Sequence, residues 1–104
     1  MKKFLGNAFS LQMLDLGQEN KVSISPVTAA EVANSGAESV IGHADTANVV
    51  SDILGIEVPM NRVSVKLNQG DILYVAQVTG GRLPEGATTL PEGMAITFVK
   101  VVLS

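Results

Sequence analysis

The sequence contains no cysteine. It can therefore form no disulfide, no iron–sulfur cluster and no thiolate zinc site. It has one histidine, His43. Transition-metal sites usually draw on several His or Cys ligands, so no metal centre is expected. Aromatic residues are confined to Phe4, Phe9, Tyr74 and Phe98, which leaves the core to Val, Ile, Leu and Ala. No apolar run in the chain approaches the roughly 20 residues of a membrane span. The N-terminus, Met1-Lys2-Lys3-Phe4-Leu5, is basic, but Gly6-Asn7 breaks it before any apolar stretch develops. A signal peptide is not expected, and the protein is read as intracellular. Positive charge is also scarce: Arg62 and Arg82 are the only arginines, and the formal net charge is −3. Proteins that grip long nucleic acid through its backbone usually carry a basic stripe. A phosphate ligand here is therefore expected to be small, held largely by backbone amides and neutral side chains.

What is present fits one α/β domain over residues 1–104, since the length leaves no room for a second. Apolar residues make up 46% of the chain, a normal globular fraction. Lys2 to Leu5 reads as a strand ended by Gly6-Asn7. Asn7 to Leu14 has ambiguous periodicity and fits a short helix or an ordered loop. Asp15 to Asn20 is a polar turn. Lys21 to Ser25 alternates apolar and polar residues, as a half-buried strand does. Ser25-Pro26 has the form of a helix start, with serine as N-cap and proline first in the helix, which continues over Thr28 to Ala33. Ser39 to Ile41 is a short apolar strand closed by Gly42-His43. A second helix starts near Ala44, with Asp45 in its first turn at the positive end of the helix dipole. It presents Ala47, Val50, Ile53 and Leu54 on one face and ends at Gly55. A strand is expected over Arg62 to Leu67, then a turn at Asn68 to Asp71. Strands follow over Ile72 to Val78 and Met94 to Leu103. The expected architecture is a mixed β-sheet of about five strands flanked by helices. Between the last two strands, Thr79 to Gly93 is rich in Gly, Pro and Thr. It is long for so small a domain, and long ordered loops are often functional.

Three places could carry chemistry. His43 carries an imidazole, a side chain able to take up or give a proton, and stands at the end of a strand and the start of a helix, a common setting for ligand sites; it could also simply cap that helix. Arg82-Leu83-Pro84-Glu85-Gly86 places a cation and a carboxylate three apart, to pair with each other or to meet a phosphate and a hydroxyl. Asn7 and Ser10 follow a strand and offer donors and acceptors, or ordinary turn bonds. Arg62 could bridge to an acidic neighbour. Neither standard glycine-rich phosphate loop is present. A Ser10–His43–Asp45 triad lacks the strained nucleophile turn such catalysis uses.

Four segments together resemble the viral anti-CRISPR ring nucleases: Asn7-Ala8-Phe9-Ser10, Ile41-Gly42-His43-Ala44-Asp45-Thr46, Val58-Pro59-Met60-Asn61-Arg62, and Arg82 through Pro91. The resemblance covers nearly the whole chain. It implies a homodimeric protein of viral, phage or prokaryotic origin, acting in the host cytoplasm on cyclic tetra-adenylate, the second messenger of type III CRISPR defence. The implied chemistry needs neither metal nor cofactor, because the 2′-hydroxyl of RNA is its own nucleophile. The resemblance makes His43 the general acid. It sets Arg82 on the scissile phosphate, and it has Glu85 orient Arg82 or the attacking hydroxyl. Asn7, Ser10 and Gln12 would bind the ring, with Thr46, Arg62 and Gln77 as further contacts. Gln12 stands where relatives often have a second asparagine. The alternative expectation is a non-catalytic sponge or sensor for the same messenger.

Overall fold

In a computed structural model, which describes residues 1–104, five strands form one mixed sheet. They are β1 (Lys3–Gly6), β2 (Val22–Pro26), β3 (Glu38–Ser39), β4 (Ile72–Thr79) and β5 (Ala95–Leu103), in the spatial order β2-β5-β4-β1-β3. β1 runs parallel to both β3 and β4, with Leu5 opposite Ser39 on one side and Tyr74 on the other. β5 is antiparallel to β4 and β2. Two helices, α1 (Ala29–Ala33) and α2 (Ala44–Leu54), and one 3-10 turn at Leu11–Met13 complete the regular structure.

Period-two alternation sorts the strand side chains between two cores. Ile72, Tyr74 and Ala76 of β4 join Leu5 and Phe98 beneath Val32 of α1 and Ala47, Val50 and Leu54 of α2. Leu73 and Val75 face the other way, with Phe4, Val101 and Leu103. Both helices thus pack on one face. The other face is covered by irregular chain: Leu14, Phe9 and Met13 from one segment, Val65 and Leu67 from another. β4 is buried on both sides from Ile72 to Ala76, as a central strand between two layers must be.

Several boundaries differ from expectation, each for a local reason. The helix does not begin at Ser25-Pro26: Pro26 is the last residue of β2, paired with Val99. β2 is an edge strand, where a missing N–H costs nothing to the ladder. The N-cap is Thr28, whose hydroxyl accepts from the Glu31 N–H at 3.1 Å. The strand expected over Ser39–Ile41 starts one residue earlier and ends two residues earlier, at Glu38–Ser39, with Val40 adding one bond to the Leu5 carbonyl. Arg62 to Leu67 forms no strand. Its alternation is real, running from exposed Val63 to buried Leu67. However, its neighbour is the 3-10 turn, which offers a single backbone partner, Met13 O to the Leu67 N–H. α2 matches expectation, with Gly55 closing it in the left-handed region at φ 68°.

The end of the sheet opposite the loops is tied by Asp71, a buried carboxylate. Its two oxygens accept the backbone N–H groups of Lys2 and Asn68, both at 2.9 Å. Gly70 and Leu103 bond across the same turn. Burial alone would raise the Asp71 pKa. The two N–H donors and the positive charges of the N-terminus and Lys2 outweigh it, and the pKa lies below the ordinary carboxylate value. A depressed folded-state pKa contributes stability above the ordinary value and loses it as pH falls through the folded one. Asp71→Ala is expected to lower the unfolding free energy at pH 7 by about 1.5–3 kcal/mol, the usual worth of hydrogen bonds to a charged group. Chemical denaturation across a pH series checks this: the gap to wild type should narrow below about pH 4. A gap that stays constant to the most acid pH would contradict the assignment.

Candidate functional site

All three parallel strands point their C-terminal ends the same way, and the chain leaves each one beside the others. Asn7 follows β1, Gly42-His43 follows the β3 segment, and Gln77 to Arg82 finish β4 and enter the long loop. The crevice beyond such strand ends is a common ligand site in α/β folds. Here it is an open pocket of about 400 Å³ lined by Asn7, His43, Asp45, Thr46, Gln77, Val78, Gly81, Arg82 and Leu83. It lies at the N-terminus of α2, whose first N–H groups carry the positive end of the helix dipole.

His43 occupies the N-cap of α2 without spending its side chain there. Its carbonyl accepts the Ala47 N–H at 3.0 Å, while the ring makes no capping bond and is exposed. Asn7, half-buried, accepts the Gly42 N–H on its Oδ1 at 3.4 Å, which steadies the peptide before His43. Thr46 is buried in the pocket wall. Arg82 is exposed and forms no ion pair with Glu85; the two ion pairs of the molecule, Lys21–Glu19 and Lys100–Glu31, lie elsewhere. The guanidinium is therefore free to meet an anion.

Of the residues singled out in the sequence, Asn7, His43, Thr46, Gln77 and Arg82 share this pocket. Glu85 lies three residues along the loop, exposed and outside the lining. Ser10 and Gln12 line a separate groove of about 520 Å³ with Val63 and Lys66. Ser10 there caps the 3-10 turn by accepting the Gln12 N–H at 3.2 Å, so the Ser10–His43–Asp45 triad is not assembled. Arg62 forms no acidic bridge. Its aliphatic stem lies over Gly42, where an added Cβ would sit 3.4 Å from Arg62 Cγ. Sequence reasoning left Asp45 out of the site. Its place in the first turn explained it fully as a helix-dipole partner, and no spacing rule connects it to a loop 41 residues away.

The loop itself is pinched at its base. Thr79 and Ala95 are the last ladder pair. Just beyond them Gly80, at φ +92°, lies so close to the returning chain that a Cβ would approach the Gly93 carbonyl oxygen to 2.5 Å. No side chain fits between the two arms.

The sequence pattern of the STIV B116-like family matches residues 3–99. The chain belongs to this family, and the relatives it resembles include proteins of archaeal viruses. It is 40% identical over 70 residues to the protein ORF117 of Acidianus two-tailed virus, a stretch covering 65% of this chain and 59% of that protein. It is 40% identical over 48 residues to protein 26 of Sulfolobus islandicus filamentous virus, covering 46% and 40%. The chain thus spans about three-fifths and two-fifths of the length of these two relatives. The structure of B116 of Sulfolobus turreted icosahedral virus superposes with a TM-score of 0.74 at 26% identity, covering 98% of this chain and 99% of that one.

The pinched neck makes Gly80→Ala a test of how the loop is held. Strain at positive φ together with the backbone clash should cost roughly 1–3 kcal/mol. Thermal unfolding should show a midpoint lower by several degrees; an unchanged midpoint would mean the arms are free to separate.

Proposed function

We propose that the protein is a metal-independent ring nuclease that cleaves cyclic tetra-adenylate as a homodimer, each protomer presenting one pocket to half of the ring. The observation that carries this reading is the convergence of an unengaged imidazole, an unpaired guanidinium and a helix N-terminus on one open pocket. Those are the parts that transesterification of an RNA phosphodiester asks of a protein. The ring supplies the nucleophile: its 2′-oxygen bonds to the adjacent phosphorus, the hydroxyl proton passes to solvent, and the bond to the 5′-oxygen breaks. His43, as imidazolium, gives its proton to that departing oxygen. Arg82 and the helix N-terminus hold the non-bridging oxygens as charge builds on them. Asn7, Thr46 and Gln77 fix the phosphodiester and its neighbours, and positioning supplies much of the acceleration. Glu85, on the same loop as Arg82, orients either the guanidinium or the attacking hydroxyl once the ring is bound. In the dimer, Ser10, Gln12 and Arg62 contact the ring beyond the pocket of a single protomer. The products are short linear adenylates ending in 2′,3′-cyclic phosphate.

One observation favours a second reading. Glu85 stands outside the pocket, as it would in a protein that only sequesters or senses the messenger. Incubating wild type and His43→Ala with cyclic tetra-adenylate in EDTA, with products resolved by mass, separates the two. Wild type should yield cyclic-phosphate ends, and the variant should be slower by about 10²–10⁴-fold, the usual contribution of a general acid. A ring with 2′-deoxy sugars should bind and remain whole. Cleavage of that analogue would exclude the mechanism, and binding without cleavage of the natural ring would establish the sponge.

A further inference from the structure

Between residues 81 and 92 the loop makes one hydrogen bond to the rest of the molecule: the Gly86 N–H donates to Oδ1 of Asp45 at 3.0 Å. The other backbone bonds of the segment are internal to it or to its base, Ala87 N–H to Pro84 O and Met94 N–H to Pro91 O, both at 3.1 Å. With the base fixed at Gly80, this tie decides where the loop's far end rests. Asp45 itself is half-buried on the first turn of α2, between His43 and Thr46, and it lines the pocket. One carboxylate therefore joins the helix that carries His43 to the loop that carries Arg82 and Glu85.

We propose that Asp45 is a positioning residue: its carboxylate oxygen holds the Arg82–Gly86 segment against the start of α2, so that the phosphate pocket is assembled before its ligand arrives. This rests on the function proposed above. A ligand that meets a loop docked only part of the time binds with an apparent affinity reduced by that fraction. Loss of the tie should therefore raise KM and leave kcat largely intact, the reverse of losing a general acid. The role needs an oxygen acceptor and no charge, so an amide should replace the carboxylate.

The experiment compares wild type, Asp45→Asn and Asp45→Ala. It reads the water-exchange rate of the Gly86 amide in the free protein and the KM and kcat for cyclic tetra-adenylate. Asp45→Ala should show Gly86 exchange and KM both raised by roughly three- to tenfold, the range one net hydrogen bond provides, with kcat within about twofold of wild type. Asp45→Asn should match wild type in both. Unchanged Gly86 exchange in Asp45→Ala would overturn the tie. An Asn variant as impaired as the Ala variant, or a fall in kcat at constant KM, would overturn the positioning role in favour of the charge acting on His43. If wild type neither binds nor cuts the ring, the function proposed above fails. The exchange comparison then still decides whether Asp45 holds the loop.

Discussion

Everything in this molecule is arranged around β4. Its five residues from Ile72 to Ala76 are buried on both faces, and it is the only strand paired with both a parallel and an antiparallel neighbour. Burial on two sides means that it contributes to both cores at once: Tyr74 and Ala76 beneath the helices, Leu73 and Val75 beneath the irregular chain. A shift of one residue in its register would exchange those two sets, placing Tyr74 where Leu73 packs. The order of the sheet also follows from it, because β1 can lie parallel to β4 only if the intervening chain crosses over.

That pairing dictates where chemistry can sit. With β1, β3 and β4 parallel, every polar residue that follows one of them is delivered to the same edge of the sheet. Asn7, His43 and Gln77 come from three distant parts of the chain and meet because their strands are neighbours, not because their spacing encodes a site. The opposite end of the sheet holds the chain terminus, the tight turn and the buried Asp71 that ties them. The fold thus separates its fastening from its pocket, and the N-terminus of α2 adds a fixed positive potential on the pocket side alone.

Long alternating or capped segments could be read directly from the residues. β4 is a continuous apolar run buried on both faces from Ile72 to Ala76, β5 is a long run rich in Ile, Phe, Val and Leu, and α2 carries both an acidic first turn and a glycine stop. Short segments could not, because different structures satisfy the same local pattern. Ser25-Pro26 suits a helix start equally well as the end of an edge strand. Val63, Val65 and Leu67 alternate, but they pack onto a core without joining a ladder. In the site, His43 and Arg82 were identifiable by their rarity and their chain context. The separation of Ser10 and Gln12 into another groove was not, since it depends on how the chain after β1 folds back over the second core. The contact between Asp45 and Gly86 was also invisible, because nothing local marks a carboxylate that already has a reason to be where it is.

The glycine-tight closure between Gly80 and Gly93 has an evolutionary meaning. It insulates the sheet from whatever lies beyond it: the ladder ends at Thr79 and Ala95, so changes of length between residues 81 and 92 do not propagate inward. The cost of such changes is loop-closure entropy, about 0.6 kcal/mol for each doubling of length. Descendants of this scaffold can therefore lengthen, shorten or recolour the segment that overhangs the pocket while keeping the strand register intact. Variation in what the pocket admits can accumulate there at little risk to folding.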